Sequence, residues 1–196
     1  MGGADGIQQT VLKRVNSIII KRLKEINPNI PVISRQNNTT PYSERRKWNH
    51  FWLIDPLDSN AGLLASEEDF SINIALIEDR KPVLGIVHVP IKNTSYYTMA
   101  GKSAFRIKAG GKPEIIRAHT VPENKLTANG EQRGKVPDTK LEYIPVPASI
   151  ALSICLAAEG KLDATIPLIN TMEWETAGAH AVIKSVGMSV INGDTN

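Results

Sequence analysis

The sequence predicts an α/β fold, an α+β layered sandwich in which an N-terminal helix covers an antiparallel sheet and a smaller α/β half follows. Three observations predict it. Residues 11–26 repeat apolar side chains at helical spacing, residues 51–109 form consecutive β-rich runs joined by short turns, and strands alternate with helices after residue 141. The expected division is residues 1–140 and 141–196, together one compact unit.

Each element has its own justification. In "VLKRVNSIIIKRLKEI", Val11, Leu12, Val15, Ile18, Ile19, Leu23 and Ile26 line one stripe, and lysines and arginines take the other face. Asn27-Pro28 stops that helix, because proline cannot continue it and disfavours helix just before itself. "IPVIS" (30–34) reads as a short strand, and residues 35–50 as a polar loop. "FWLID", "FSINIALIE", "PVLGIVHVP", "TSYYTMA" and "SAFRIKA" are then strands of an antiparallel meander, separated by turn clusters such as "EDRKP" and "GGKP". Residues 118–140 are polar and irregular. After them come strand "LEYIPVP", helix "ASIALSICLAAEG" closed by Gly160, strand "DATIPL", helix "WETAGAHAVIKSVG" closed by Gly187, and strand "MSVIN".

Composition narrows the function classes. Over 196 residues, 41% hydrophobic and 22% charged content indicates a folded chain with a core of its own. No apolar run is long enough for a transmembrane segment, and "MGGADGIQQT" lacks the basic-then-apolar layout of a secretory signal. The single cysteine, Cys155, has no internal partner, which fits a reducing, cytoplasmic location. A net charge of +3 tolerates an anionic ligand without demanding nucleic acid. The basic cluster Arg45-Arg46-Lys47 beside Trp48 reads as a solvated loop or a phosphate contact.

The chemistry concentrates in "WLIDPLDSN" (52–60), where an apolar strand runs into two aspartates. Carboxylates clustered at a strand end suit a hard cation such as magnesium. The proline between Asp55 and Asp58 fixes a turn that lets both face one point, with the Leu57 carbonyl in reach. A helix starting near Ser59 would add N–H groups for a phosphate. An Asp-rich turn or helix cap is the plainer reading of the same residues. Elsewhere, His50, His88, His119 and His180 show no ligand spacing, and Cys155 reads as core. Gly110-Gly111 reads as a hairpin turn, and Glu67-Glu68-Asp69 as a solvated strand start. Trp174 is expected to pack against the strand that carries the aspartates.

Wider context adds to this. "WLIDPLD", "NIALIEDRKPVLGIVHVP" and "MEWETAGAHAVI" occur in that order, with "NPNIPVIS" upstream and "LAAEGKLD" shortly before "TMEWETA". Together these motifs closely resemble the inositol monophosphatase superfamily, nearest to its bacterial 3′(2′),5′-bisphosphate nucleotidases, over roughly residues 8–190. The resemblance implies a sugar-phosphatase-type fold with its cleft between the two halves, and magnesium-dependent phosphomonoesterase activity by two-metal chemistry. It implies a small phosphorylated metabolite as substrate, a nucleotide bisphosphate or an inositol phosphate, and a monomer or homodimer. Carried over by position, Asp55, Leu57 (through its carbonyl), Asp58 and Glu175 are the implied magnesium ligands. Asp55, Asp58 and Asn60 are the implied catalytic group, and Ser59, Asn60 and Glu175 the implied substrate contacts.

Several positions depart from the family pattern. The upstream Ser-Glu-Glu is Ser34-Arg35-Gln36, placing a permanent cation where a ligand carboxylate belongs. The Gly-Thr after the second aspartate is Ser59-Asn60, the aspartate of the first helix is Leu12, and the late acid, Glu175, is glutamate where aspartate is usual. The substrate-contacting Gly-Ser-Ser-x-Lys becomes Ser149-Ile150-Ala151-Leu152-Ser153. The resemblance also implies a chain short at both ends. Two readings follow: a magnesium-dependent phosphatase of impaired turnover, or a catalytically inactive pseudophosphatase that binds an anion or a protein partner.

Overall fold

A computed structural model describes residues 2–37, 39–58, 70–99, 101–118, 126–129, 141–144, 149–165 and 171–191. Helix α1 (Gly2–Ile26) extends the predicted helix toward the N-terminus. Its inner face is Leu12, Asn16 and Leu23, with Ile19 and Ile20 packed beside them. Ile18 and Ile26, placed on the stripe by spacing, are instead exposed: Ile18 sits off the buried line 12-16-19-23, and Ile26, which continues that line, is the last residue of the helix.

The main sheet has seven strands, β1 (Val32–Ser34), β2 (His50–Asp58), β3 (Ser71–Glu78), β4 (Lys81–Val89), β5 (Thr94–Met99), β6 (Phe105–Lys108) and β7 (Glu114–Ile115), in chain order. From β2 to β7 every pair is antiparallel, as a meander requires. The exception is β1, which pairs parallel to β2. The intervening polar segment has room to return the chain to the same end of the sheet, and holds the short helix α2 (Tyr42–Arg45), which the sequence reading treated as loop. The β3–β4 hairpin turns on Asp79 and Arg80, whose φ of 47° and 64° match the left-handed pair favoured at a two-residue connection.

A second sheet runs β10-β8-β9, all parallel, from β8 (Leu126–Asn129), β9 (Leu141–Ile144) and β10 (Ala164–Thr165). It draws strands from both sides of residue 140. Strand β8 lies in the stretch read as irregular, since four residues between polar segments carry too little pattern to identify. Helix α3 (Ile150–Ala158) begins at the N-cap Ser149 and is followed by Gly160 in the left-handed region; α4 (Glu173–Ser185) is followed by Gly187 in the same conformation. The expected final strand does not form over residues 188–191. Met188 N–H instead donates to the Ile183 carbonyl at 3.2 Å, closing α4, and no described strand lies alongside.

Alternation along β2 builds the layers. Trp52 and Ile54 pack against Leu23 of α1, whereas Leu53 faces Trp174 and Ala177 of α4. The sheet thus lies between α1 and α4, with α3 beside α4 in the largest core cluster. Helix α4 comes unusually near the strands. A Cβ on Gly85 would sit 2.0 Å from the Gly178 carbonyl oxygen, and one on Gly178 would sit 3.0 Å from that of Ile86. Two residues without side chains therefore allow backbone-to-backbone contact between helix and sheet.

Candidate active site

Two aspartates three positions apart in a regular strand would point to opposite faces. Asp55 is opposite Asn73 and Asp58 opposite Ser71, so three steps on β2 match two on β3. This one-residue bulge restores Asp58 to the face that carries Asp55. Pro56 sits within it, where its missing N–H costs no regular ladder bond. The strand therefore continues through Asp58; the expected turn at Pro56 is a bulge within it. The Leu57 N–H turns back to Asp55 Oδ1 at 3.1 Å.

Asp58 is buried among four neighbours. Its Oδ2 lies 3.3 Å from the Ala151 N–H, 3.4 Å from Asn73 Nδ2 and 3.5 Å from Ser71 Oγ. Ser71 and Ser149 share a hydroxyl contact of 2.8 Å, and Ser149 also accepts from the Leu152 N–H. The first turn of α3 thus presents backbone donors to an anionic side chain. Burial, then the neighbouring Asp55 charge, pushes the Asp58 carboxyl up to about 7, against the Ala151 and Ser149 hydrogen bonds. Burial likewise pushes Asp55 up to about 6, with Arg35 and then the Leu57 N–H holding it down.

Glu175, in the first turn of α4, completes a trio: one oxygen from each of Asp55, Asp58 and Glu175 lies within 4.8 Å of the others. Glu175 Oε2 also accepts the Met172 N–H at 2.8 Å, a reach back to the helix start that glutamate makes readily at this position. Trp174 packs with Leu53, Ile33, Ala75 and Ile77, and so seats the helix that carries Glu175.

Arg35 enters the same place. Its N–H extends the β1–β2 pairing to the Ile54 carbonyl, and its Nη1 donates to the Leu57 carbonyl at 3.0 Å. The same nitrogen stands 3.5 Å from Asp55 Oδ2, a long ion pair. That oxygen is buried and, among the described residues, has the Arg35 guanidinium as its neighbour and no closer hydrogen-bond donor. An all-oxygen donor set with a buried carboxylate oxygen fits a hard cation at the trio. The Leu57 carbonyl, expected among the metal ligands, accepts from the guanidinium.

Asp55, Leu57, Asp58 and Glu175 are thus brought together; Ser59, Asn60, His119 and Glu67-Glu68-Asp69 lie outside the described residues. Spacing did not reveal Ser71, Asn73 or the first turn of α3 as part of the surroundings. The available signal was strand pairing, since Ser71 and Asn73 are the small polar pair opposite the two aspartates. Ser149, grouped with the lost substrate segment, is buried and faces Asp58. Leu12 is a core residue of α1. Arg45 is not simply solvated: it pairs with Glu173 at 3.1 Å and lies over the Tyr42 ring. His88 contacts Ser95, His180 lies on α4, and Cys155 is fully buried.

Compared with known proteins, residues 2–196 match the inositol monophosphatase family. The chain is 32% identical over 177 residues to the 3′(2′),5′-bisphosphate nucleotidase CysQ of Haemophilus influenzae, covering 86% of this chain and 65% of that one. With CysQ of Salmonella typhimurium it shares 29% over 184 residues, 89% of this chain and 72% of that one. The crystal structure of CysQ from Bacteroides thetaiotaomicron, described as a bacterial member of the inositol monophosphatase family, aligns at a TM-score of 0.67 and 28% identity, covering 82% of this chain and 68% of that one. Inositol monophosphatase II from Staphylococcus aureus aligns at 0.75 over 94% of this chain and 71% of that one, with 20% identity, a likeness of fold alone. The chain spans about two thirds of the length of these relatives, slightly less for the Haemophilus protein.

Proposed function

The chain belongs to the inositol monophosphatase family, and from that premise we propose that it is a cytoplasmic, magnesium-dependent phosphomonoesterase of the 3′(2′),5′-bisphosphate nucleotidase type. Its substrate class is a small phosphorylated metabolite, a nucleotide bisphosphate ahead of an inositol phosphate, as the names of the curated relatives favour. The observation that carries the proposal is the convergence of Asp55, Asp58 and Glu175, one oxygen of each within 4.8 Å of the others.

Asp55, Asp58 and Glu175 would hold the magnesium. When bound, magnesium supplies Lewis-acid stabilisation of the charge that builds on phosphoryl oxygens. The chain does the positioning. Asn73, Ser71 and the start of α3 fix the Asp58 carboxylate, and the Trp174 cluster fixes Glu175. Arg35, whose side chain is 40% exposed, presents a second positive charge beside Asp55, suited to orienting a phosphate monoester. Ser59 and Asn60, next along the chain, are the proposed phosphate contacts.

A second reading, an inactive descendant that binds an anion, is favoured by one observation: the Arg35 guanidinium takes the Leu57 carbonyl. Phosphate release from adenosine 3′,5′-bisphosphate and inositol 1-phosphate, with and without magnesium, separates the two. The phosphatase reading expects magnesium-dependent release that Asp55→Asn lowers at least 100-fold. Release no greater than in that variant leaves the anion-binding reading.

A further inference from the structure

We propose that Arg35 is a resident cation of the carboxylate cluster, so that this chain takes one divalent ion where two-metal phosphatases take two. The inference deepens the reading above and depends on it only in treating Asp55, Asp58 and Glu175 as cation ligands.

The geometry comes first. Arg35 is anchored at both ends, its N–H on the Ile54 carbonyl and its Nη1 on the Leu57 carbonyl at 3.0 Å. One attachment precedes the bulge of β2 and the other lies within it, so the guanidinium is held beside the Asp55 carboxylate, 3.5 Å from the buried Oδ2. A carbonyl and a carboxylate oxygen facing one point form the donor set of a hard cation. Here that point is served by a group that stays charged throughout the ordinary pH range.

Charge then limits the count. Among the described residues of the cluster, Asp55, Asp58 and Glu175 carry three negative charges when ionised, and Arg35 supplies one positive. The remaining two match one divalent cation. A second would leave the cluster with two excess positive charges, and would have to approach the guanidinium among side chains of which Asp55 and Asp58 are buried. The Arg35 side chain nonetheless stays 40% exposed. The chain's own cation thus occupies a place that a second ion would need, without competing for the Asp58–Glu175 side.

Manganese binding tests this without reading turnover. Chelator-stripped protein at pH 8 is titrated with Mn2+, and free ion is followed by electron paramagnetic resonance. Wild type is expected to bind one ion per chain. Arg35→Lys keeps the charge and should keep that count. Arg35→Gln removes the charge and should bind its first ion at least tenfold more tightly. Arg35→Glu, which returns a carboxylate, should bind two. Two ions in wild type overturn the proposal, as does none; so do wild-type count and affinity in both Arg35→Gln and Arg35→Glu. The wild-type count needs no variant to fold. A chain that binds one ion but releases no phosphate leaves the role of Arg35 standing and removes only the phosphatase reading.

Discussion

Asp58 shows how far a single side chain can be displaced from its solution behaviour. Burial and the Asp55 charge outweigh the hydrogen bonds from Ala151 and Ser149, and its carboxyl rises to about 7; Asp55 rises to about 6. In the metal-free chain both groups bind protons more tightly folded than unfolded. Their stabilising contribution is complete below about pH 4 and is lost as pH rises through about 6 to 7. Urea unfolding in chelator should accordingly show less stability at pH 8 than at pH 5, by an amount on the order of a few kcal/mol. Asp58→Asn should flatten that slope. At this scale the sequence was partly legible. The aspartates, Leu57 and Glu175 stand in recognisable motifs, and Arg35 is visible as a charge reversal. Whether a long arginine side chain turns into solvent or onto a carbonyl is decided by tertiary contacts that no spacing records. The same limit hid Asn73 and Ser71, which join the site only because β3 pairs with β2 in one register.

Helix α4 carries Glu175 and is seated by glycines as well as by Trp174. Gly85 on β4 faces the Gly178 carbonyl so closely that any Cβ collides with backbone. Gly85→Ala should therefore destabilise the fold by about 3 kcal/mol, read as the urea midpoint, and weaken Mn2+ binding by lifting Glu175. Gly178→Ala meets carbonyl oxygens at 3.0 and 3.1 Å and recovers about 1 kcal/mol of helix propensity, so its net cost should be smaller. Helices and the meander were legible because periodicity and glycine stops are local signals. The contact between Gly85 and Gly178 was not, because it joins two residues far apart in sequence. Nor was the parallel pairing of β1, which depends on how the chain returns through residues 35–49.

Across the whole molecule, polar links tie the far strands of the sheet to the helical layer. Arg106 on β6 pairs with Glu159, just past α3, at 2.5 Å and with Glu114 on β7 at 2.6 Å, and the Tyr96 hydroxyl donates to Glu159 at 3.1 Å. The Glu159 side chain is only 4% exposed, so losing its arginine leaves a poorly solvated charge with Lys161 and Tyr96 as remaining partners. Arg106→Ala should cost about 2 kcal/mol, and Glu159→Gln should recover part of it in the double variant, measured by thermal unfolding. The layered class was legible from the order of elements alone. The three-stranded second sheet was not, because its strands are short and come from separated segments.

The bulge between Asp55 and Asp58 also has a consequence for how this site can vary. It makes the spacing of the two carboxylates a matter of parity. Pro56 and Leu57 can be exchanged for other residues as long as their number is kept, since the Leu57 carbonyl and the facing of Asp58 belong to the backbone. Removing one residue between the aspartates restores strict alternation with Asp58 two positions on, but leaves no loop of chain to turn a carbonyl toward Arg35. Adding one while the bulge is kept sends Asp58 to the α1 side. The motif is therefore tolerant in its letters and rigid in its length, and changes of length there are the changes this chain can least absorb.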